Sequence, residues 1–382
     1  MIDTPDTANE APCEPSICLP NAGSTVSAYP TGDLVPSLAR PGRLPYLRDV
    51  SHAPTPTVDV VAIGNALVDV LSHETPEFVT AEGLTPGSMT LIDEDRAEQL
   101  YGAMGPAVEV SGGSAANTMV GIASFGGTGH FVGRVRDDQL GEVFAHDLRS
   151  VGIGFDLMPA IDGPATGRCL ILVTPDGERT MNTYLGASTL LGGNAISPDT
   201  VTSGGIIYLE GYLFDRDEAK AAFRAAASIA HDAGRQVALS LSDSFCVDRH
   251  RDEFLDLVNG HVDILFANED EITSLYQVDS FDEAVERVRG SVSIAALTRS
   301  ADGSTVATTD GLIHVAAEPV AHVVDTTGAG DLYAAGFLFG LARDCDLASC
   351  ARLGSIAAAE VISHVGARPV ANLAELAAPV FD

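Results

Sequence analysis

VVDTTGAGDLYAAGFLFGLA, residues 323–342, runs from a β-branched entry through Gly328, Ala329 and Gly330 into a long apolar helix. Small residues let consecutive backbone N–H groups point into a cleft, and the first N–H groups of a helix are unpaired and carry partial positive charge. The turn is therefore an anion hole suited to a phosphate in transfer. Asp331 falls in the first turn of the same helix, where it can accept a proton from an attacking hydroxyl. A Gly before a helix or an acid at its first turn is ordinary local chemistry. The two together point to a reaction.

Other nucleotide motifs fail on single residues. Gly328-x-Gly330 opens like a dinucleotide fingerprint, but Tyr333 stands where its third Gly belongs and no βαβ unit with a ribose-binding acid follows, so a dehydrogenase is a lesser alternative. A Walker A loop needs a lysine after glycine, whereas Lys220, the only lysine, follows Glu218 and Ala219. H-R-D occurs only at 250–252, where Leu257 stands in place of the catalytic-loop Asn, and D-F-G is absent, so the protein-kinase set is not present.

Working back along the chain, VDVVAIG (58–64) is a short apolar run expected of a strand buried on both faces. Strand-like runs at 204–214, 236–242, 262–268 and 293–300 alternate with helical stretches at 217–234 and 282–290. Such alternation predicts a mostly parallel sheet with helices on both faces, and ligands bind beyond its carboxyl strand ends. Asn65, Ser242 and Asn268 are each expected at such an end, facing one crevice. SMTLID (88–93) and GRCLILVTPDGERTMNTYLG (167–186), the latter a hairpin turning at Pro175, Asp176 and Gly177, break the rhythm. A small separate sheet acting as a lid is their natural use, an edge extension of the main sheet the plainer one.

Two further segments suggest a substrate site. In SGGSAANTMVGIASFGG (111–127), Gly112 and Gly113 allow backbone conformations that other residues resist, and Asn117 opens a small-residue helix: a hinge with a hydroxyl-binding amide, or equally a tight turn. In IGNALVDV (63–70), Asp69 follows closely on a buried strand; a buried acid needs partners, and sugar hydroxyls would serve.

Composition narrows the partners. The 382 residues carry 21 Lys plus Arg against 53 Asp plus Glu, a net charge of −32 that repels nucleic-acid phosphates and anionic lipids. No nucleic-acid or membrane partner is expected. The six cysteines form no C-x-x-C pair, and no basic-then-apolar leader or long apolar run occurs, so a cytoplasmic protein with reduced thiols is the expectation. Residues 1–57, rich in Pro, Ser, Thr and Ala, read as a disordered or loosely attached extension ahead of one large domain, 58–382, with lid segments near 85–95 and 165–187.

D-T-T-G-A-G-D (325–331) and G-G-S-A-A-N (112–117) resemble the two signatures of the PfkB, ribokinase-like, family, in its order and spacing. The resemblance covers Val58 to the C-terminus. It implies a three-layer α/β/α sandwich with a mostly parallel central sheet and a β-sheet lid, and a phosphotransferase that uses ATP on an alcohol group. By resemblance Asp331 is the general base, and the amides of Gly328, Ala329 and Gly330 stabilise the moving phosphoryl group. Asn268 and Glu271 supply the N-x-x-E pattern that organises Mg2+ through water. ATP contacts fall at Asn268, Thr298, Gly303 and Gly366, with Ser300 where a Gly is common, and Asp325 and Thr326 match positions that can host a monovalent cation such as K+.

Gly64, Asn65 and Asp69 look most like the adenosine-kinase-like branch. There the acid binds the ribose diol with help from Asn117, Gly112 and Gly113 belong to the substrate site, Tyr212 offers a ring to the base, and Arg168 approaches the phosphates on lid closure. The expected reaction is adenosine plus ATP to AMP plus ADP, in purine salvage, by a monomer or homodimer. Ribose, fructose, 2-keto-3-deoxygluconate, guanosine and inosine are alternative acceptors, and a silent binding protein of the same fold is a further alternative.

Overall fold

Residues 60–63 send alternate side chains into two separate cores, which is why that part of the 58–64 run is continuously apolar. In the computed structural model, which describes residues 55–155 and 159–381, they lie in β1 (Val58–Ile63). Val60 and Ala62 enter one core and Val61 and Ile63 the other, all fully buried. The extension expected over residues 1–57 lies, as far as residue 54, outside the described residues.

The chain then leaves this sheet for a second one through β2 (Leu67–His73), α1 (Pro76–Ala81), β3 (Met89–Leu91), α2 (Glu94–Ala103) and β4 (Ala107–Gly112). It returns through α3 (Ser114–Ser124), β5 (Gly129–Val132) and α4 (Gln139–Ser150), and goes out again as the hairpin β6 (Gly167–Val173) and β7 (Arg179–Tyr184). After α5 (Pro198–Ser203), strands and helices alternate: β8 (Gly204–Glu210), α6 (Asp217–Asp232), β9 (Gln236–Ser240), α7 (Ser244–His261), β10 (Ile264–Asn268), α8 (Glu269–Tyr276), α9 (Phe281–Val288) and β11 (Ile294–Thr298). A hairpin of β12 (Ser304–Thr308) and β13 (Gly311–Val315) precedes α10 (Ala329–Ala342), α11 (Leu347–Val361) and α12 (Leu373–Phe381).

The large sheet has the order β13-β12-β11-β10-β9-β8-β1-β5, parallel from β11 to β5 and antiparallel at β12 and β13. Met119, Leu332, Phe337 and Leu353 of α3, α10 and α11 pack on one face. Phe223, Phe254, Ile272 and Val285 of α6 to α9 pack on the other. This is the expected three-layer sandwich. The run at 204–214 stops being a strand at Glu210, because Gly211 passes so close to Ser240 and Leu241 that a Cβ there would lie 2.6 Å from either carbonyl oxygen. Tyr333, which broke the dinucleotide pattern, is a core residue whose hydroxyl donates to Ser304 Oγ at 2.8 Å.

The segments that broke the βα rhythm form a separate five-stranded sheet, β3-β7-β6-β2-β4, rather than an edge of the first. It is larger than the two expected segments, since β2 and β4 also belong to it, and Asp69, which does follow closely on β1, is itself within β2. Val68, Val70, Leu170 and Leu172 on one face are buried in the same core as Val79 of α1 and Leu100 of α2. Cys169, Ile171 and Met181 face the other way, towards the large sheet's carboxyl strand ends.

Gly113 is the pivot between β4 and α3. Its φ of 94° is a left-handed conformation that side chains resist, and a Cβ there would lie 2.4 Å from the Asn65 carbonyl oxygen. Gly126 has a similar φ of 84° in open space. Gly126→Ala should therefore cost about 1–2 kcal/mol of unfolding free energy and Gly113→Ala clearly more, measured by urea denaturation; equal losses would mean that the Asn65 contact does not constrain the pivot.

Candidate active site

The small sheet and the carboxyl ends of the large sheet's strands enclose a cleft of about 490 Å³. Asn65, Ser242 and Asn268 all line it, as their strand-end positions required, together with Asp69, Gly113, Asn117, Tyr212, Glu271, Thr298, Thr326, Gly328 to Gly330 and Asp331. A roomier groove of about 770 Å³ runs along α11 and α12, but there Arg352 and Glu318 neutralise each other at 2.6 Å. The concentration of reactive groups is in the smaller cleft.

Gly328 caps α10 with φ 81° and no side-chain cap; the Ala329 N–H donates to the Thr326 carbonyl at 3.2 Å, while the N–H of Gly330 in the same first turn has no side-chain cap. Nothing lies within 4 Å of where a Cβ of Gly330 would be, so an anion can approach the backbone. Asp331 stands one residue further on, its carboxylate held by the Ser114 hydroxyl donating at 2.6 Å and the Asn117 amide donating at 3.2 Å. Burial pushes its pKa up to about 6, and those two hydrogen bonds restrain the rise. An acid so placed is ionised at neutral pH yet basic enough to take a proton.

Asp69 projects from β2 into the same cleft. Gly112 makes room for it, since a Cβ there would lie 2.4 Å from the carboxyl group. Burial raises the Asp69 pKa to about 6, opposed by Arg368 and Arg179 and reinforced by Asp331. Asn65 is buried and directed by Glu210, whose Oε1 accepts from both its backbone N–H (3.2 Å) and its side-chain amide (2.7 Å). Beside these polar groups the floor is apolar: Ile171, Met181 and the half-exposed Met89 and Leu91 line the small-sheet side, and Tyr212 lines the same cleft. Burial and the surrounding acids, Asp243 foremost, raise the Tyr212 pKa well above its usual value, so the ring carries a neutral hydroxyl.

At the other end Asn268 and Glu271 form a reciprocal helix cap. The Glu271 N–H donates to Asn268 Oδ1 at 2.9 Å and the Asn268 backbone N–H donates to Glu271 Oε2 at 3.0 Å, while the Asn268 side-chain amide also donates to Glu271 Oε1 at 2.7 Å. Burial raises the Glu271 pKa to about 7. Thr298 lines the cleft, whereas Gly303 and Gly366 do not. Gly303 is a tight backbone turn against Val315, beside Ser300 with its glycine-like φ of 49°. Gly366 donates its N–H to Asp325 at 2.8 Å.

Two expectations change. Asp325, expected with Thr326 at a monovalent-cation position, has its oxygens taken by Arg179 at 2.8 Å, by Gly366, and by the Thr327 hydroxyl and N–H. A guanidinium stands where a cation was expected. Arg168 lies on the outer face of the small sheet, over the rings of Tyr101 and Tyr184, because it alternates with the inward-facing Cys169. The arginine beside the Gly328–Gly330 turn is Arg179, which also donates to the Thr327 hydroxyl at 3.4 Å.

Arg179, Arg368, Ser114 and Glu210 were not singled out from the sequence. The hairpin register carried a usable signal for the first, since pairing Arg168 with Tyr184 and Arg179 with Val173 puts the two arginines on opposite faces. Nη2 of Arg179 and Nη2 of Arg368 are buried without a hydrogen-bond partner, leaving donors available near Asp69.

Comparison with known proteins agrees with this geometry. The model of the pfkB family of carbohydrate kinases matches residues 88–373. Among solved structures, a probable sugar kinase protein from Rhizobium etli is 46% identical, with a TM-score of 0.80 over 86% of this chain and 99% of that one. The adenosine kinase from Sinorhizobium meliloti is 49% identical, with a TM-score of 0.79 over 85% of this chain and 99% of that one. Among curated proteins, the probable chloroplastic fructokinase-6 of Arabidopsis thaliana is 31% identical over 62% of this chain and 63% of its own length.

A proton taken by Asp331 requires the ionised carboxylate, so turnover should fall as pH drops through about 6. Ser114→Ala removes a donor that favours the ionised form, so the acidic limb of the pH–rate profile should move to higher pH. A limb that stays in place or moves lower in the variant would separate Ser114 from the titrating group.

Proposed function

The chain belongs to the pfkB family of carbohydrate kinases, and on that premise we propose that it transfers the γ-phosphoryl group of ATP to the 5′-hydroxyl of adenosine, giving AMP and ADP. The observation that carries this reading is the cleft's division into a polar and an apolar part. Asp69, Asn65 and Asn117 offer a carboxylate and two amides for a ribose diol. Met89, Leu91, Ile171 and Met181 line the same cleft as Tyr212 and offer it apolar surface, which suits a purine ring better than a free sugar. A sugar acid would also bring its carboxylate among Asp69, Glu210, Asp243, Glu271 and Asp331, an unfavourable meeting of like charges. The identity of 49% with the Sinorhizobium meliloti adenosine kinase supports the nucleoside reading. The sugar kinases among the relatives keep a free sugar as the second reading.

In the proposed reaction the small sheet closes over both substrates, and Asp331 takes the 5′-hydroxyl proton as the oxygen attacks the γ-phosphorus in line. The N–H groups of Gly328 and Gly330 then meet the charge on the equatorial oxygens, the Ala329 N–H being held by the Thr326 carbonyl. Arg179, anchored by Asp325 beside that loop, adds positive charge from the small-sheet side. Among the described residues no cluster of three or more His, Cys, Asp or Glu is arranged to hold a metal ion directly. Mg2+ would be carried in with ATP and held through water by Asn268 and Glu271, where it would neutralise phosphate charge. ATP as phosphoryl donor and free adenosine as acceptor suit a cytoplasmic enzyme of purine salvage.

ADP release from MgATP should be measured across adenosine, guanosine, inosine, ribose, fructose and 2-keto-3-deoxygluconate. Adenosine should lead in kcat/KM by at least about tenfold, roughly 1.4 kcal/mol of transition-state discrimination; a free sugar in front would discard the nucleoside assignment. Replacing Met89 and Leu91 together by serine should raise the KM for adenosine about tenfold with a smaller change in kcat, through loss of apolar contact with the base. An unchanged KM would move the base off the small sheet.

A further inference from the structure

Glu210 is a fully buried carboxylate, 1% exposed, at the end of β8, and three N–H donors from two distant segments converge on it. Its Oε1 accepts from the backbone N–H and the side-chain amide of Asn65, at 3.2 and 2.7 Å. Its Oε2 accepts from the N–H of Ala115 at 2.8 Å. These partners are not scattered. Asn65 lies where the chain leaves β1 for the small sheet, and Ala115 where it re-enters the large domain after β4. The flanking glycines admit the arrangement: a Cβ at Gly64 would lie 2.5 Å from Glu210 Oε2, and one at Gly113 would lie 2.4 Å from the Asn65 carbonyl oxygen.

Ala115 sits in the first turn of α3, next to Ser114 and two residues before Asn117, the two side chains that hold the Asp331 carboxylate. A tie on the Ala115 N–H therefore fixes the turn from which the base is oriented. The tie on Asn65 fixes the amide expected to meet the acceptor. Both ties run through one rigid three-atom group on a strand of the large sheet.

We infer that Glu210 is a positioning residue for phosphoryl transfer: its carboxylate pins the outgoing and the returning crossing to the small sheet at one point, and so sets where Asn65 and Asp331 stand. This deepens the kinase reading above and rests on it for its kinetic consequences. The chemistry requires a carboxylate, because only a group with two acceptor oxygens and no donor satisfies three N–H groups from two sides. Glutamine keeps the shape but has one acceptor oxygen, so its NH2 must face an N–H on one of the two crossings, and that crossing separates.

Glu210→Gln tests this with two readouts. Amide hydrogen exchange, which needs no acceptor, should quicken in peptides covering 64–67 or those covering 112–118, whichever crossing the NH2 faces, and stay unchanged in α6. On the acceptor that the wild-type protein turns over best, KM should rise and kcat fall, each about tenfold. The acidic limb of kcat should move to higher pH as Ser114 and Asn117 ease away from Asp331. Unchanged exchange at both crossings would overturn the inference, and so would a variant with only a lowered Tm and wild-type kinetics and pH limb. If adenosine is not the acceptor, the wild-type panel alone reveals it, and the exchange result still decides the role of Glu210.

Discussion

The hydrogen bond from Ser114 to Asp331 spans 217 residues of sequence and joins the two segments on which the chemistry depends. One is the anion hole at the start of α10, whose geometry follows from Gly328 and the open space at Gly330. The other is the start of α3, where the chain comes back from the small sheet. An acid at a helix N-terminus is by itself ordinary. It becomes a candidate base because a second helix start, itself placed by the hinge, holds its carboxylate at a fixed angle in a desolvated cleft.

That cleft is electrostatically demanding. Burial raises the pKa values of Asp69 and Asp331 to about 6 and those of Glu210 and Glu271 to about 7, in a protein whose net charge is already −32. Each acid is kept in place by a local device: Gly112 gives Asp69 its room, Asn268 caps with Glu271, and three N–H groups converge on Glu210. Arg179 and Arg368 oppose the rise at Asp69. Cations are few in this chain, and those two lie where the carboxylates crowd, which is what an incoming polyphosphate would also need.

Much of this was legible in the sequence, for physical reasons. The apolar runs at 58–63 and 262–268 had to be strands buried on both faces, and the small residues at 328–330 had to leave backbone amides open. Strand ends therefore located Asn65, Ser242 and Asn268 at one crevice. The extent of the small sheet was not legible, because LVDVLSH reads as a continuation of β1 until its pairing with β4 and β6 is seen. The hairpin register set the two arginines on opposite faces without saying which face meets the cleft, so Arg168 drew the role that Arg179's position supports. Glu210 escaped because a lone acid at the end of an apolar strand gives no sign of the donors, 95 and 145 residues away, that converge on it.

The most direct test of the account is Asp331→Asn, with steady-state turnover and equilibrium adenosine binding measured on the same preparation. The account predicts a kcat lower by about 10³-fold or more, near the upper range for loss of a general base, with adenosine affinity within a few-fold of the wild-type value. A variant that keeps most of its kcat would contradict it and would take the proton-accepting role away from Asp331.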